Sequence, residues 1–172
     1  RDACLDLERQ GALNVNFVTP THYAPHVRAA VLAAREEGFS LPVVWNTGGY
    51  ETVEAIRANA DVVDVYLTDF KYADPALGVR YSSVSDYPQR ALEALAAMID
   101  EVGAPVYDEY RGDERMTRGV IVRHLLLPGH VDDSMRVVRM LHERFGDALR
   151  LSLMNQYTPV LATAAQRGDA QA

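Results

Sequence analysis

Short apolar runs alternate with amphipathic segments along most of this chain. Runs rich in β-branched and aliphatic residues predict five buried strands, at 13–18, 41–45, 61–68, 119–127 and 149–154. Apolar residues at helical spacing predict helices between them, at 2–10, 25–37, 52–60, 88–102 and from Asp132 or Asp133 to Gly146. This alternation predicts an α/β fold in which parallel strands are joined by right-handed crossovers.

Two internal segments show neither the apolar runs of strands nor the apolar spacing of helices. Residues 72–87 are rich in Ser, Asp, Pro and Tyr and form a longer connection than their neighbours, which is typical of a lid or a partner surface. Residues 104–118 are polar and charged, so we expect an exposed excursion. We predict one domain over residues 1–160 and a flexible tail at 161–172, where small and polar residues predominate.

Polar residues follow each of the five predicted strands. Because the carboxyl ends of parallel strands meet at one edge of the sheet, these residues predict the polar floor of a ligand site. The candidates are Thr19 and His22, Asn46 and Thr47, Asp69 and Lys71, Arg123 and His124, and Asn155 and Tyr157. A ligand with a carboxylate and an ammonium suits them, with Lys71 and Arg123 facing the anion and Asp69 and Asn46 facing cationic or hydroxyl groups.

Lys71 is the only lysine among the 17 basic residues, and the others are arginines. An ammonium is a compact charge whose pKa can shift, unlike the permanently charged guanidinium fork, so we infer that arginine would not serve at this position. Alternatively, lysine stands at position 71 by chance and forms a structural ion pair with Asp69. Arg123 is either a ligand contact or the structural partner of a carboxylate such as Asp69.

The other candidates have simpler interpretations. His124 should face the helices as a packing residue, and His22 and His26 should have surface or capping roles. Gly48 and Gly49 are expected to form a tight turn rather than a phosphate cradle, because no phosphate-binding pattern surrounds them.

The composition of the chain argues against several classes of protein. The 172 residues carry a formal charge of −7 and a pI near 5.2, which disfavours nucleic acid as a partner. The chain has no apolar run of about 20 residues and no signal peptide at its start, so we expect no membrane contact and a cytoplasmic protein. Cys4 is the only cysteine, which excludes a disulfide framework or a cysteine metal cage within this chain. The chain opens on Arg1 inside a predicted helix, so we interpret it as a fragment.

Five stretches together resemble the radical S-adenosylmethionine proteins, in the branch related to pyruvate formate-lyase activating enzyme. They are NVNFVTPTH at 14–22, WNTGGYE at 45–51, DVYLTDFKY at 64–72, VRHLLLPG at 122–129 and MNQY at 154–157. The resemblance extends from Gly11 to Pro159.

This resemblance implies a partial parallel (β/α) barrel, incomplete at its N-terminus, with a [4Fe-4S] cluster and S-adenosylmethionine. Cleavage of that cofactor gives a 5′-deoxyadenosyl radical, which abstracts hydrogen from a protein or small-molecule substrate. A flavodoxin or ferredoxin is the implied electron donor. The resemblance implies cofactor contacts near the methionine moiety (Asn46, Thr47, Asp69 and Lys71), at the arginine of a later strand (Arg123) and on the adenosine side (Asn155 to Tyr157). Thr19 is a further implied contact.

The sequence departs from the family pattern in four places. The three-cysteine cluster motif is absent and is expected upstream, so this chain alone should be inactive. Val18, Thr19 and Pro20 replace a Gly-Gly-Glu turn, Asn46 stands where an acidic residue is common, and Tyr157 stands where a histidine is common. Two other functions stay open: an aldolase-like barrel with Lys71 as Schiff-base nucleophile, and a non-catalytic module that binds a partner through residues 72–87.

Overall fold

The computed structural model describes residues 1–156, which form six α-helices and six β-strands. The strands are β1 (Val15–Val18), β2 (Val43–Thr47), β3 (Val65–Asp69), β4 (Val106–Tyr110), β5 (Asp113–Leu125) and β6 (Arg150–Met154). The helices are α1 (Asp2–Arg9), α2 (Ala24–Glu36), α3 (Val53–Arg57), α4 (Pro75–Ser82), α5 (Tyr87–Val102) and α6 (Val131–Phe145). A 3₁₀ turn, Pro20–Tyr23, joins β1 to α2.

The strands form one open and mostly parallel sheet. β1, β2, β3 and β5 are consecutive parallel neighbours, and β6 pairs in parallel with the second half of β5. β4 pairs antiparallel with the first half of β5. The expected α/β fold with parallel pairing is therefore confirmed for the main sheet.

All six helices pack on the same face of this sheet. Their buried side chains belong to one cluster that includes Trp45 of β2, Tyr66 of β3 and Val120 of β5, which the strand register places side by side. Val44 and Val65 alternate to the opposite face and lie outside that cluster. The opposite face of the sheet therefore carries no helix within residues 1–156, and its polar side chains are accessible to a ligand.

Helix α5 provides much of this core. Pro88 lies in its first turn, where a proline costs no hydrogen bond, and Gly103 follows its last turn at φ +73°. Leu95 and Met98 are at most 2% exposed, and burial of each such side chain contributes about 1.5–3 kcal/mol. The helix thus anchors the layer above β3 and β5.

The long loop expected at 72–87 contains a helix, so that prediction is wrong in part. Asp74 accepts a hydrogen bond from the backbone N–H of Ala76 (2.8 Å), and Pro75 opens α4 directly after it. This N-cap pair starts a helix even though Gly78 lies within it. Gly78 is required there, because a Cβ would lie 2.6 Å from the carbonyl oxygen of Val84.

The expected excursion at 104–118 is a β-hairpin, and the sheet therefore has six strands rather than five. Its strands are exposed as expected, with Val106 50% exposed. Arg111 and Gly112 both have positive φ, 58° and 88°, as the two central residues of a type I′ hairpin turn do. β5 consequently begins at Asp113 rather than at residue 119.

The beginning of α6 also differs from expectation. His130 is the N-cap residue, and Asp132 and Asp133 lie in the first turn rather than at the cap. Asp133 instead accepts a hydrogen bond from the backbone N–H of Ala73 (3.1 Å) and so ties α6 to the segment after β3.

Residues 157–172, which include the end of the predicted domain and the predicted tail at 161–172, lie outside the described residues. Those boundaries stay predictions. Within residues 1–156, no helix combines the length and the apolar character needed to cross a membrane.

Candidate ligand-binding site

The carboxyl ends of β3 and β5 lie side by side on the face without helices, with Asp69 paired in register to Arg123. A cavity of about 320 Å³ opens at this point. Its lining residues are Asp69, Lys71, Tyr72, Arg123, Leu125, Leu127 and Met154. Three of the eight cofactor contacts that the resemblance implies, Asp69, Lys71 and Arg123, therefore line one cavity.

The polar end of the cavity is built around Arg123. Its Nε donates to Asp69 Oδ1 (2.9 Å), and its Nη2 lies 2.7 Å from the same oxygen. Nη2 also donates to Asn46 Oδ1 (2.9 Å). Both charged side chains are about three-quarters buried, which makes mutual pairing necessary. Arg123 is thus the structural partner of Asp69 and also a wall of the cavity.

Other polar atoms of this network have no partner within residues 1–156. Lys71 is exposed and makes no ion pair there, while Asp69 Oδ2 and Arg123 Nη1 make no hydrogen bond to the described part of the chain. The Lys71 ammonium lies near the β2 turn, because a Cβ on Gly48 would be 3.8 Å from Nζ. The cavity is therefore lined by a cation and a carboxylate oxygen that have no partner within residues 1–156.

The turn after β2 is pressed against the end of β3. Gly49 has φ +82°, and a Cβ there would lie 2.0 Å from the carbonyl oxygen of Asp69. No other residue fits this approach. Gly48 and Gly49 thus form the tight strand-to-helix turn that the sequence suggested.

The two predicted threonines do not line the cavity. Thr47 is 3% exposed, and its hydroxyl donates to Glu51, which also accepts from Thr21 (2.8 Å). Thr19 has φ 52° and an exposed side chain, and its backbone N–H donates to the carbonyl oxygen of Asn46 (2.8 Å). Both residues shape the loops beside the site.

The predicted residues after β6 lie beyond the cavity lining. Asn155 is exposed and follows Met154, which does line it. Tyr157 lies outside the described residues. On β5, His124 points to the helix-covered face, where it is 1% exposed and hydrogen-bonded to the carbonyl oxygen of Phe70 (2.7 Å). His22 is exposed in the 3₁₀ turn.

Sequence reasoning missed the apolar wall of the cavity. Leu125 follows Arg123 by two residues and therefore shares its face, and this alternation was the available signal. Tyr72 and Leu127 extend the wall into a second groove of about 250 Å³ that also includes Tyr81 and Pro128. A ligand in the site would meet charge at one end and apolar surface at the other.

No protein-family model matches the chain. It is similar to an archaeal protein. Over 154 residues it is 32% identical to the uncharacterized protein MJ0674 of Methanocaldococcus jannaschii, an alignment that covers 88% of this chain and 40% of that protein. The chain thus spans about two fifths of that relative's length, and the activity of any longer protein is a matter for proposal.

The residues that the structure describes do not supply a metal centre. They include no group of three or more His, Cys, Asp or Glu side chains placed to hold a metal ion. Cys4 is 4% exposed and packs in the core beneath α1, and an iron–sulfur cluster requires several thiolates. The described residues around the cavity therefore do not fit an iron–sulfur cluster.

Proposed function

We propose that this site binds the amino-acid end of S-adenosylmethionine and that the chain is part of a radical S-adenosylmethionine enzyme. The carrying observation is that Lys71, which makes no ion pair within residues 1–156, and Asp69, which has one oxygen without a hydrogen bond there, line the same cavity. Lys71 Nζ is available for a ligand carboxylate, and Asp69 Oδ2 is available for a ligand ammonium. Charge-assisted hydrogen bonds of this kind are among the strongest in proteins.

The arrangement around these two groups suits the rest of such a ligand. Arg123 orients Asp69 through its two contacts with Oδ1, and Asn46 holds the guanidinium from the other side. The apolar wall formed by Leu125 and Met154 offers contact area for the adenosine part. Asn155 and Tyr157 remain candidates for that part of the ligand.

The placement of the helices supports the finer expectation that the sheet belongs to a partial (β/α) barrel. In an open doubly wound sheet, helices cover both faces, whereas a barrel keeps them outside the strands. Here the helices share one face, and the candidate site lies at the carboxyl ends of strands on the other.

The proposed [4Fe-4S] cluster has no ligands among the described residues, so we derive no electron-transfer step from this chain. We propose that its cysteines belong to a longer protein and that residues 1–172 alone are inactive. A cytoplasmic location, a flavodoxin or ferredoxin donor and a protein or small-molecule substrate are parts of the same proposal.

The aldolase-like alternative is less well supported by the site. Schiff-base lysines are activated by an apolar pocket or by a neighbouring cation, whereas the Lys71 side chain is exposed. The non-catalytic module would bind a protein through α4 and its flanking residues, and the free charges of Lys71 and Asp69 would then have no ligand.

The sole lysine makes the test specific. In the 172-residue chain labelled with ¹³C,¹⁵N-lysine, every lysine signal belongs to Lys71, and S-adenosylmethionine should shift it in a saturable NMR titration. Lys71→Met and Asp69→Asn should each weaken binding measured by calorimetry by about 10- to 100-fold, because each removes a charged hydrogen bond. Arg139→Met, which removes an exposed cation of α6, should leave binding unchanged.

Two outcomes would reject the proposal. One is the absence of any shift at millimolar S-adenosylmethionine in a folded chain. The other is a covalent adduct at Lys71 after borohydride reduction with a carbonyl compound such as pyruvate, which would favour the aldolase-like function.

A further inference from the structure

The hydroxyl of Tyr87 lies where the backbone segments of the candidate site converge. Tyr87 is the first residue of α5 and is 2% exposed. Its hydroxyl accepts a hydrogen bond from the backbone N–H of Lys71 (3.1 Å). The same oxygen lies 3.1 Å from the carbonyl oxygen of Gly48 and 3.2 Å from that of Asp69. One side chain of the helix layer therefore contacts both the turn after β2 and the end of β3.

These contacts use the full capacity of a tyrosine hydroxyl, which accepts from a donor and donates its single hydrogen. Its two candidate acceptors belong to different strand ends, since Gly48 follows β2 and Asp69 ends β3. Lys71 lies beyond the end of β3, so no ladder bond fixes its N–H. Without the hydroxyl, that N–H and the two carbonyls would lose a shared partner.

The glycine turn brings the two strand ends close enough for this arrangement. A Cβ on Gly49 would lie 2.0 Å from the Asp69 carbonyl oxygen and 3.2 Å from the Tyr87 hydroxyl oxygen. The turn, the end of β3 and the hydroxyl are thus in mutual contact. A displacement of any one of them would move the backbone from which the Lys71 side chain projects.

The ring of Tyr87 is held independently of its hydroxyl. It stacks on Tyr50, with centroids 6.1 Å apart and planes 9° from parallel, and it contacts Tyr72 edge-on at 5.4 Å. Burial raises the pKa of the Tyr87 hydroxyl, so it stays protonated and able to donate. Because the ring contacts are retained by phenylalanine, the hydroxyl can be removed alone.

We propose that Tyr87 is a positioning residue that sets where Lys71 and Asp69 stand, and that the affinity of the site for its ligand depends on this hydroxyl. The role in ligand binding rests on the proposed function. The positioning of Lys71 does not, so the two can be tested separately.

The ligand-free test observes Lys71 directly. In the unmodified chain the Lys71 amide should exchange slowly with solvent, although it lies outside any strand. Tyr87→Phe should speed that exchange at least tenfold and shift the side-chain signals of the lysine. Tyr50→Phe is the matched control, because the Tyr50 hydroxyl donates to Asp86 (2.8 Å) and does not contact Lys71. Fast exchange at Lys71 in the unmodified chain would overturn the proposal without any variant.

The ligand test uses S-adenosylmethionine and a double-mutant cycle. Tyr87→Phe should weaken binding by about three- to tenfold, the usual effect of one lost hydrogen bond. In a Lys71→Met background the same change should have a much smaller effect, since the positioned cation is gone. Equal effects in both backgrounds, or none in either, would refute the coupling. If the unmodified chain shows no S-adenosylmethionine binding while Tyr87→Phe still frees the Lys71 amide, positioning stands and the proposed function fails.

Discussion

Residue His124 forms a buried link between the ends of β3 and β5. Its Nδ1 donates to the carbonyl oxygen of Phe70 (2.7 Å), and its Nε2 is buried without a hydrogen-bond partner among residues 1–156. The ring therefore carries its hydrogen on Nδ1. A buried polar atom without a partner lowers the stability of the fold. We infer that the hydrogen bond to Phe70 offsets this cost.

We expect His124→Leu to lower the free energy of unfolding by about 1–3 kcal/mol, because the volume is kept while the Phe70 carbonyl loses its donor. His124→Asn, whose amide nitrogen occupies a similar position to Nδ1, should recover part of this loss. Urea unfolding followed by circular dichroism measures both. Stability of the leucine variant equal to that of the original chain would show that the unpartnered Nε2 cancels the contribution of the bond.

The sequence indicated which residues would be near the site but did not decide their roles. Arg123 had two interpretations, ligand contact or partner of Asp69, because alternation gives the face of a strand and not the residue opposite on its neighbour. The pairing of Asp69 with Arg123, which are 54 residues apart in sequence, depends on the register between β3 and β5. Tyr87 was missed for the same reason, since its partners come from β2 and β3.

At the scale of elements, the β4–β5 hairpin contacts the segment before β1, the strand at the far edge of the sheet. The Arg115 guanidinium pairs with Asp108 (2.8 Å), donates to the carbonyl oxygen of Leu13 before β1 (3.2 Å) and lies 4.0 Å from the centroid of the Tyr110 ring. The hairpin thus contacts the start of β1, although β2 and β3 separate β1 from β5. It was predicted only as an exposed excursion because burial in β4 does not alternate.

We expect Arg115→Met to release the hairpin from β1. Hydrogen exchange should rise in residues 106–118 and near Leu13, and the free energy of unfolding should fall by about 1–2 kcal/mol, since a bidentate pair and a cation–π contact are lost together. Glu114→Gln is the control, because this exposed neighbour makes no ion pair within residues 1–156. Unchanged exchange near Leu13 would show that the contact with β1 does not hold the hairpin.

At the scale of the whole molecule, the sequence predicted the alternation of strands and helices correctly because burial on a parallel sheet imposes a clear periodicity. The periodicity does not predict that the helices share one face, since that depends on sheet curvature, and only the resemblance to a (β/α) barrel implied this arrangement. The charge at the candidate site also differs from the net charge of the chain. The chain carries −7 overall, yet the site contains Lys71 and Arg123 against the single carboxylate of Asp69, so anion binding there should respond to nearby charges rather than to the total.

The stability of the protein in acid depends on individual ion pairs, because several exposed carboxylates are paired with arginines. The hydrogen bond from Arg28 holds the pKa of Asp61 below its ordinary value, and the one from Arg115 does the same for Asp108. A carboxyl group whose pKa is lower in the folded state contributes stability above its unfolded-state pKa, near 4, and loses it as the pH falls through the folded-state value. Stability should therefore decline below about pH 4 and vary little from there to neutral pH through these groups.

Thermal unfolding from pH 2.5 to 7 tests this contribution. Asp61→Asn should lower the unfolding temperature at pH 7, and the gap to the original chain should narrow as the pH falls and Asp61 becomes protonated in the folded state. Asp100→Asn removes an exposed carboxylate that makes no ion pair within the described chain, and its curve should follow the original. Because exposed pairs contribute little and are screened, the gap at pH 7 should be small and should narrow in 1 M salt. A gap that kept its full size from pH 7 to pH 2.5 would mean that Asp61 acts through packing rather than through its charge.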